Sequence, residues 1–259
     1  MTFRDMTEMG GRHEAFQTTR WTEIGAEAAG MSGRRKVLAS LVRRYWKPVY
    51  CFLRQRGCDN EKAKDLTQGF FVEVVLQGKL VRHADRAKGR FRTFLLAALE
   101  NYVVDMHRGE HARKRMPSGG LASLDASDPV ILPSEIQDRS PSDAFQYAWA
   151  RELVNEALVE LETEYRQCGR EAHWLAFFAR VIRPILDDQP SPPLPELCEH
   201  FGIENEVKAS NMITVAKRRF RSILTNLARK SVESGEDVEE EITELMRILT
   251  EGSKESKKG

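Results

Sequence analysis

The chain has no apolar run long enough to cross a bilayer, and Met1 to Arg20 lacks the apolar core of a secretory signal. Its four cysteines, Cys51, Cys58, Cys168 and Cys198, form no CxxC pair. Neither a zinc site nor a disulfide framework is therefore expected, and reduced thiols in a cytoplasmic protein are the plain reading. A glycine loop that could cradle phosphate, a nucleophile-and-base pattern and a paired-carboxylate motif are all missing, so no enzyme, cofactor or metal is expected. His107 and His111 stand four apart in a helical stretch, but no third ligand lies within reach in the sequence. Even net charge is nearly absent, at +1 over 259 residues.

That balance hides a segregation. From Arg82 to Arg115 nine Lys/Arg face four Asp/Glu, a net of +5, and from Met116 to Glu171 four Arg face eleven acids, a net of −7. From Val207 to Lys230 there are seven bases and no acid, whereas Glu233 to Glu251 carries eight acids and one Arg, again −7. Solvated helix faces would explain one such block. Two basic blocks, each followed by an acidic one, suggest two nucleic-acid-facing surfaces on a self-balanced molecule.

Hydrophobic residues make up 41% of the chain, enough for small cores, and their spacing is helical. From Arg34 the apolar positions Val37, Leu38, Leu41, Val42, Tyr45, Val49, Phe52 and Leu53 recur at three and four, with Pro48 expected to kink the helix. Gly57 should close it, and Asp59 or Asn60 should cap the next, which carries Ala63, Leu66, Phe70 and Val74 on one face. A loop from Gln77 to Gly89 precedes a long helix from Arg90 to about Arg115. Ser140-Pro141-Ser142-Asp143 is a helix start with cap, proline and first-turn acid. A short helix from Pro195 to Phe201, a turn at Gly202 and a longer basic helix from about Glu206 to Lys230 have the form of a helix-turn-helix. The expected fold is all-α: an N-terminal extension (1–33), a helical domain (34–116), a linker (117–143), a second helical domain with the helix-turn-helix (144–232), and an acidic helix and tail (233–259).

The residues Tyr45-Trp46-Lys47-Pro48-Val49-Tyr50, Asp65-Leu66-Thr67-Gln68-Gly69-Phe70-Phe71 and Gly89-Arg90-Phe91-Arg92-Thr93-Phe94-Leu95 resemble the sigma-70 family of bacterial RNA polymerase subunits. The likeness is to the compact extracytoplasmic-function type, with regions 2 and 4 only. It covers residues 34–125 well and 145–230 more loosely. Asn101, Asp105 and Arg108 fall where the family has its Asn, Asp and Arg, and Ser123-Leu124-Asp125 fits the linker.

The resemblance implies a promoter-specificity subunit whose partners are polymerase core, promoter DNA and an anti-sigma or other regulator. It puts Asp65, Gln68 and Phe71 against the polymerase clamp. Of the adjacent pair Phe70 and Phe71, the second is expected to be exposed, because one helical face does not comfortably bury two neighbours. Recognition and melting of the −10 element would fall to the helix from Arg90, with Lys88, Arg90 and Arg92 on phosphates, Asn101 on base edges, and Arg108 and Arg113 alongside. At −35 the expected residues are Lys208, Asn211, Lys217, Arg218 and Arg221. Here the chain departs from the family, with Val215 where a mid-helix Arg often lies, so phosphate anchoring is kept and base choice is open.

A stand-alone helix-turn-helix regulator would explain 194–230 but leave Asp65 to Phe71 without purpose. A nuclease built on His107 and His111 would need acids or histidines that the chain lacks. The acidic segment has two readings: it folds back on the helix-turn-helix domain and competes with DNA, or its stripe of Val238, Ile242, Leu245 and Leu249 completes that domain's core.

Overall fold

The computed structural model describes residues 31–76, 91–114, 136, 139–186, 190–229 and 237–255. Among these the protein is mostly helical, with no residue in a strand. Helix α1, Met31–Gln55, buries Leu41, Tyr45, Val49, Phe52 and Leu53 along one stripe. The helix continues through Pro48, which is itself buried. Gly57 ends the helix as expected, in the left-handed region at φ 85°, where a side chain would be strained. Asp59 then caps α2, Asn60–Phe70, its carboxylate accepting from the Lys62 amide at 2.8 Å.

A π-helical segment, Phe71–Leu76, continues α2. Helix α3, Phe91–Lys114, turns Phe91, Leu95, Leu99, Tyr102 and Val103 inward. Helix α4, Pro141–Gln167, starts as the sequence suggests, the Ser140 hydroxyl accepting from the Asp143 amide at 3.2 Å. Almost every residue from Ala144 to Leu153 is buried or half-buried. A helix apolar on more than one face must be covered on more than one side. Helix α4 accordingly packs against α1, against α8 (Glu206–Arg229) and against α9 (Asp237–Glu255).

The remaining helices are short. Helix α5, Glu171–Phe177, passes through a π segment, Phe178–Ile182, into α6, Arg183–Leu186, and α7, Leu194–Phe201, precedes α8. The larger apolar core takes side chains from α1, α2, α3, α4, α5, α8 and α9 together. It therefore draws on both segments that the sequence divides at the linker. A smaller core of Ala176, Leu197, Ile203, Ala209, Met212 and Ile213 lies beneath α7 and α8.

The stripe of the acidic segment enters the larger core. Val238, Leu245 and Ile248 of α9 are buried in the larger core, with Ile242 and Leu249 packed beside them. Meanwhile Lys208, Asn211, Lys217, Arg218 and Arg221 remain exposed. Helix α9 folds back onto α4 and α8 and completes a core there, leaving these α8 side chains uncovered. The apolar stripe outweighs charge attraction, because exposed charges in water interact weakly.

Candidate nucleic-acid and partner surfaces

Gly202, at φ 63°, turns the chain between α7 and α8, and the Ile203 amide reaches back to the Cys198 carbonyl at 2.9 Å. The Asn205 side chain accepts from the Lys208 amide at 2.8 Å and so starts α8. Leu197, Ile203, Ala209, Met212 and Ile213 pack the two helices together. What α8 leaves outward is Val207, Lys208, Asn211, Thr214, Val215, Lys217, Arg218 and Arg221, spaced by threes and fours along one side. Val207, 71% exposed, is an apolar side chain offered to solvent among cations. A groove of about 480 Å³ runs beside this face, lined by Ser210, Thr214 and Lys217 of α8 and by Arg180 across from them.

Arg219 belongs to the same basic run but points elsewhere. Its guanidinium forks onto the Glu164 carboxylate of α4, with contacts of 2.8 and 3.0 Å from Nε and 2.7 Å from Nη2. The hydrogen bond to Glu164 holds its pKa above the usual arginine value. Arg219 braces α8 on α4. Arg44 and Lys47 brace α1 on α4 in the same way, on Glu156 at 3.3 Å and Glu152 at 2.9 Å.

On α2, Asp65 and Gln68 are exposed, as a docking patch requires. Phe71 is not. It is only 3% exposed, stacked on Trp46 at 6.1 Å and edge-on to Phe70 at 5.6 Å. The expected exposure fails because the chain enters a π turn at this residue. A π turn rotates less per residue than an α turn, so two consecutive phenylalanines can share the inner side. Val72, 44% exposed, takes the outward place beside Glu73. Gly69 lets α3 approach closely here: a β-carbon on it would lie 2.6 Å from the Tyr102 hydroxyl, which would have to shift.

On α3, Asn101 and Arg108 are exposed on a side that also shows Thr93, Ala97 and Val104. Asp105 sits 3.8 Å from Arg108 in an open ion pair. Lys88 and Arg90 lie outside the described residues, and so do the side chains of Arg113, His107 and His111. Arg92 overturns its expectation. It is 3% exposed, its Nη2 stands 3.2 Å from Oε2 of the fully buried Glu241 on α9, and its guanidinium lies 4.1 Å over the Trp149 ring. Positions 92, 95 and 99 share one helical face, so the spacing that buries Leu95 and Leu99 buries Arg92 too. It is not free to hold phosphate in this conformation.

No family model, curated protein or solved structure matches this chain.

No sequence motif announces the cluster around Arg92. Tyr45 of α1 adjoins it, packed edge-on to Phe91 at 5.4 Å and stacked on Phe145 at 6.4 Å. Burial pushes the Tyr45 hydroxyl up to about 12, opposed by the Arg44 charge, reinforced by Glu241 and opposed again by Arg92. A signal for Glu241 exists in the sequence: 238, 241, 245 and 248 alternate by three and four, and only 241 of these is charged. Among the described residues no group of three or more His, Cys, Asp or Glu is placed to hold a metal ion.

Proposed function

We propose that this protein is a promoter-recognition subunit of the sigma type, which brings bacterial RNA polymerase core to specific DNA and helps open it. On this reading 34–116 serves the −10 element and the polymerase, 144–232 serves the −35 element, and α7 and α8 act as a helix-turn-helix. The observation that carries it is the exposed face of α8. A left-handed turn and a dedicated small core hold α8 out, with Lys208 and Asn211 near its start and Lys217, Arg218 and Arg221 further along. Side chains early in such a helix suit base edges, and cations further along suit phosphates.

The polymerase patch loses Phe71 and becomes Asp65, Gln68 and Val72. The surface on α3 loses Arg92 and keeps Asn101 and Arg108. Burial of these two expected contacts favours a second reading, a helix-turn-helix regulator that acts without polymerase contact through α2.

Run-off transcription with purified polymerase core and a library of genomic promoters separates the two. Specific transcripts that depend on the protein support the first reading. Sequence-specific duplex binding, with no transcript and no binding to core, supports the second.

A further inference from the structure

We propose that α9 is a latch whose Glu241 carboxylate occupies a masked nucleic-acid contact, Arg92, and that single-stranded DNA and Glu241 compete for the same guanidinium. The inference rests on the reading above of α3 as a DNA-facing helix.

The first reason is the position of the charge. Val238, Leu245 and Ile248 bury α9 in the core, and Glu241 sits on the same seam, fully buried. A leucine there would continue the stripe. Burying a carboxylate opposite an arginine is no efficient route to stability, since apolar replacements of buried ion pairs are often neutral or stabilising. What a lone charged residue at a seam position does supply is choice of partner and register.

The second reason is chemical likeness. A guanidinium fork receives carboxylate and phosphate oxygens in much the same geometry, so Glu241 can stand where a phosphate would. Arg92 lies against Trp149, itself 1% exposed, so opening the latch would uncover a cation beside an indole ring, a pairing that suits the phosphate and base of a single strand. The tether supplies the third reason. The chain carries α9 directly after α8, so its carboxylate competes at the high effective concentration of an intramolecular group. DNA alone would displace it poorly, and contacts elsewhere on the protein would shift the balance.

Glu241→Gln keeps the shape of the side chain and removes its charge. Binding of a fluorescent single-stranded oligothymidylate to the full chain should tighten about tenfold, the worth of one charge-assisted contact. In Arg92→Gln/Glu241→Gln that gain should vanish. In the unaltered protein, saturating oligothymidylate should speed amide exchange across 237–255 while 141–167 stays protected, a readout that does not depend on any variant folding. The latch is overturned if folded Glu241→Gln binds no tighter, if the double variant keeps the gain, or if saturation leaves 237–255 as protected as before. Run-off transcription with polymerase core, measured on the same proteins, tests the sigma reading separately. Absence of transcript alongside an Arg92-dependent gain in binding would remove that reading and leave the latch.

Discussion

Phe71 and Val72 exchange the roles that a regular helix would give them, and the consequences can be measured one side chain at a time. Truncating Phe71 removes a ring held between Trp46 and Phe70, so Phe71→Ala should cost about 3–5 kcal/mol in denaturant unfolding. Gln68→Ala, on the exposed side, should change stability by less than about 0.5 kcal/mol and should weaken a polymerase-core pull-down. A pull-down unchanged by Gln68→Ala would count against the patch. Tyr45 makes a prediction of another kind. Its pKa is raised from 10.0 to about 12, so the folded state holds the phenolic proton more tightly than the unfolded chain. The associated stability is complete below pH ~10 and is lost as pH rises from there through about 12. Equilibrium unfolding followed across that range should show a downward slope that Tyr45→Phe flattens. An equal slope in the variant would mean that another group titrates.

At the scale of elements, the proposed function has α8 divide its cations between two tasks. Replacing Arg218 and Arg221 with Ala should weaken DNA binding across all sequences and flatten the salt slope by about two units, one per phosphate contact. Arg219→Ala should leave that slope nearly unchanged, because its guanidinium is committed to Glu164. Lys208 or Asn211 substitutions should change which sequences are bound. Salt titrations of the variants on one duplex, followed by binding selection from a random pool, check all three statements. An Arg219 effect as large as that of Arg218 would mean that the brace opens on DNA.

The same helices show what could be read in the chain beforehand. Caps at Asp59 and Ser140, turns at Gly57 and Gly202, and the bounds of α7 and α8 follow from local chemistry, and local chemistry is written in consecutive residues. The inward turn of Phe71 depends on a π turn, a change of helical pitch that no apolar period announces. The face that Arg92 shares with Leu95 and Leu99 is local, but its partner Glu241 stands nearly a hundred and fifty residues away. Pairing over that distance becomes visible only once α4 has gathered α1, α8 and α9 around itself.

For the molecule as a whole, α4 explains why truncation at the C-terminus should be felt far from it. Helix α9 lies on α4 and α8, and three of its side chains are buried in the core that also holds Tyr45, Phe70 and Leu99. Deleting 233–259 would expose the apolar surfaces that receive them, at roughly 1.5–3 kcal/mol for each fully buried side chain, partly offset by the entropy of no longer ordering the segment. It would also strand the Arg92 charge against Trp149 until water reached it. The melting temperature should fall, by about 2–4 °C for each kcal/mol of net loss in a chain of this size. Duplex binding through α8 should nonetheless be nearly unchanged at physiological salt, where the field of the deleted acids is screened, because the α8 cations are already exposed with α9 docked. The two measurements belong together on the truncated protein. Markedly tighter duplex binding at that salt, lost when Arg218 and Arg221 are also replaced, would restore the idea that the acidic helix shields α8. A lower melting point with unchanged duplex affinity is the outcome that a core-completing α9 requires.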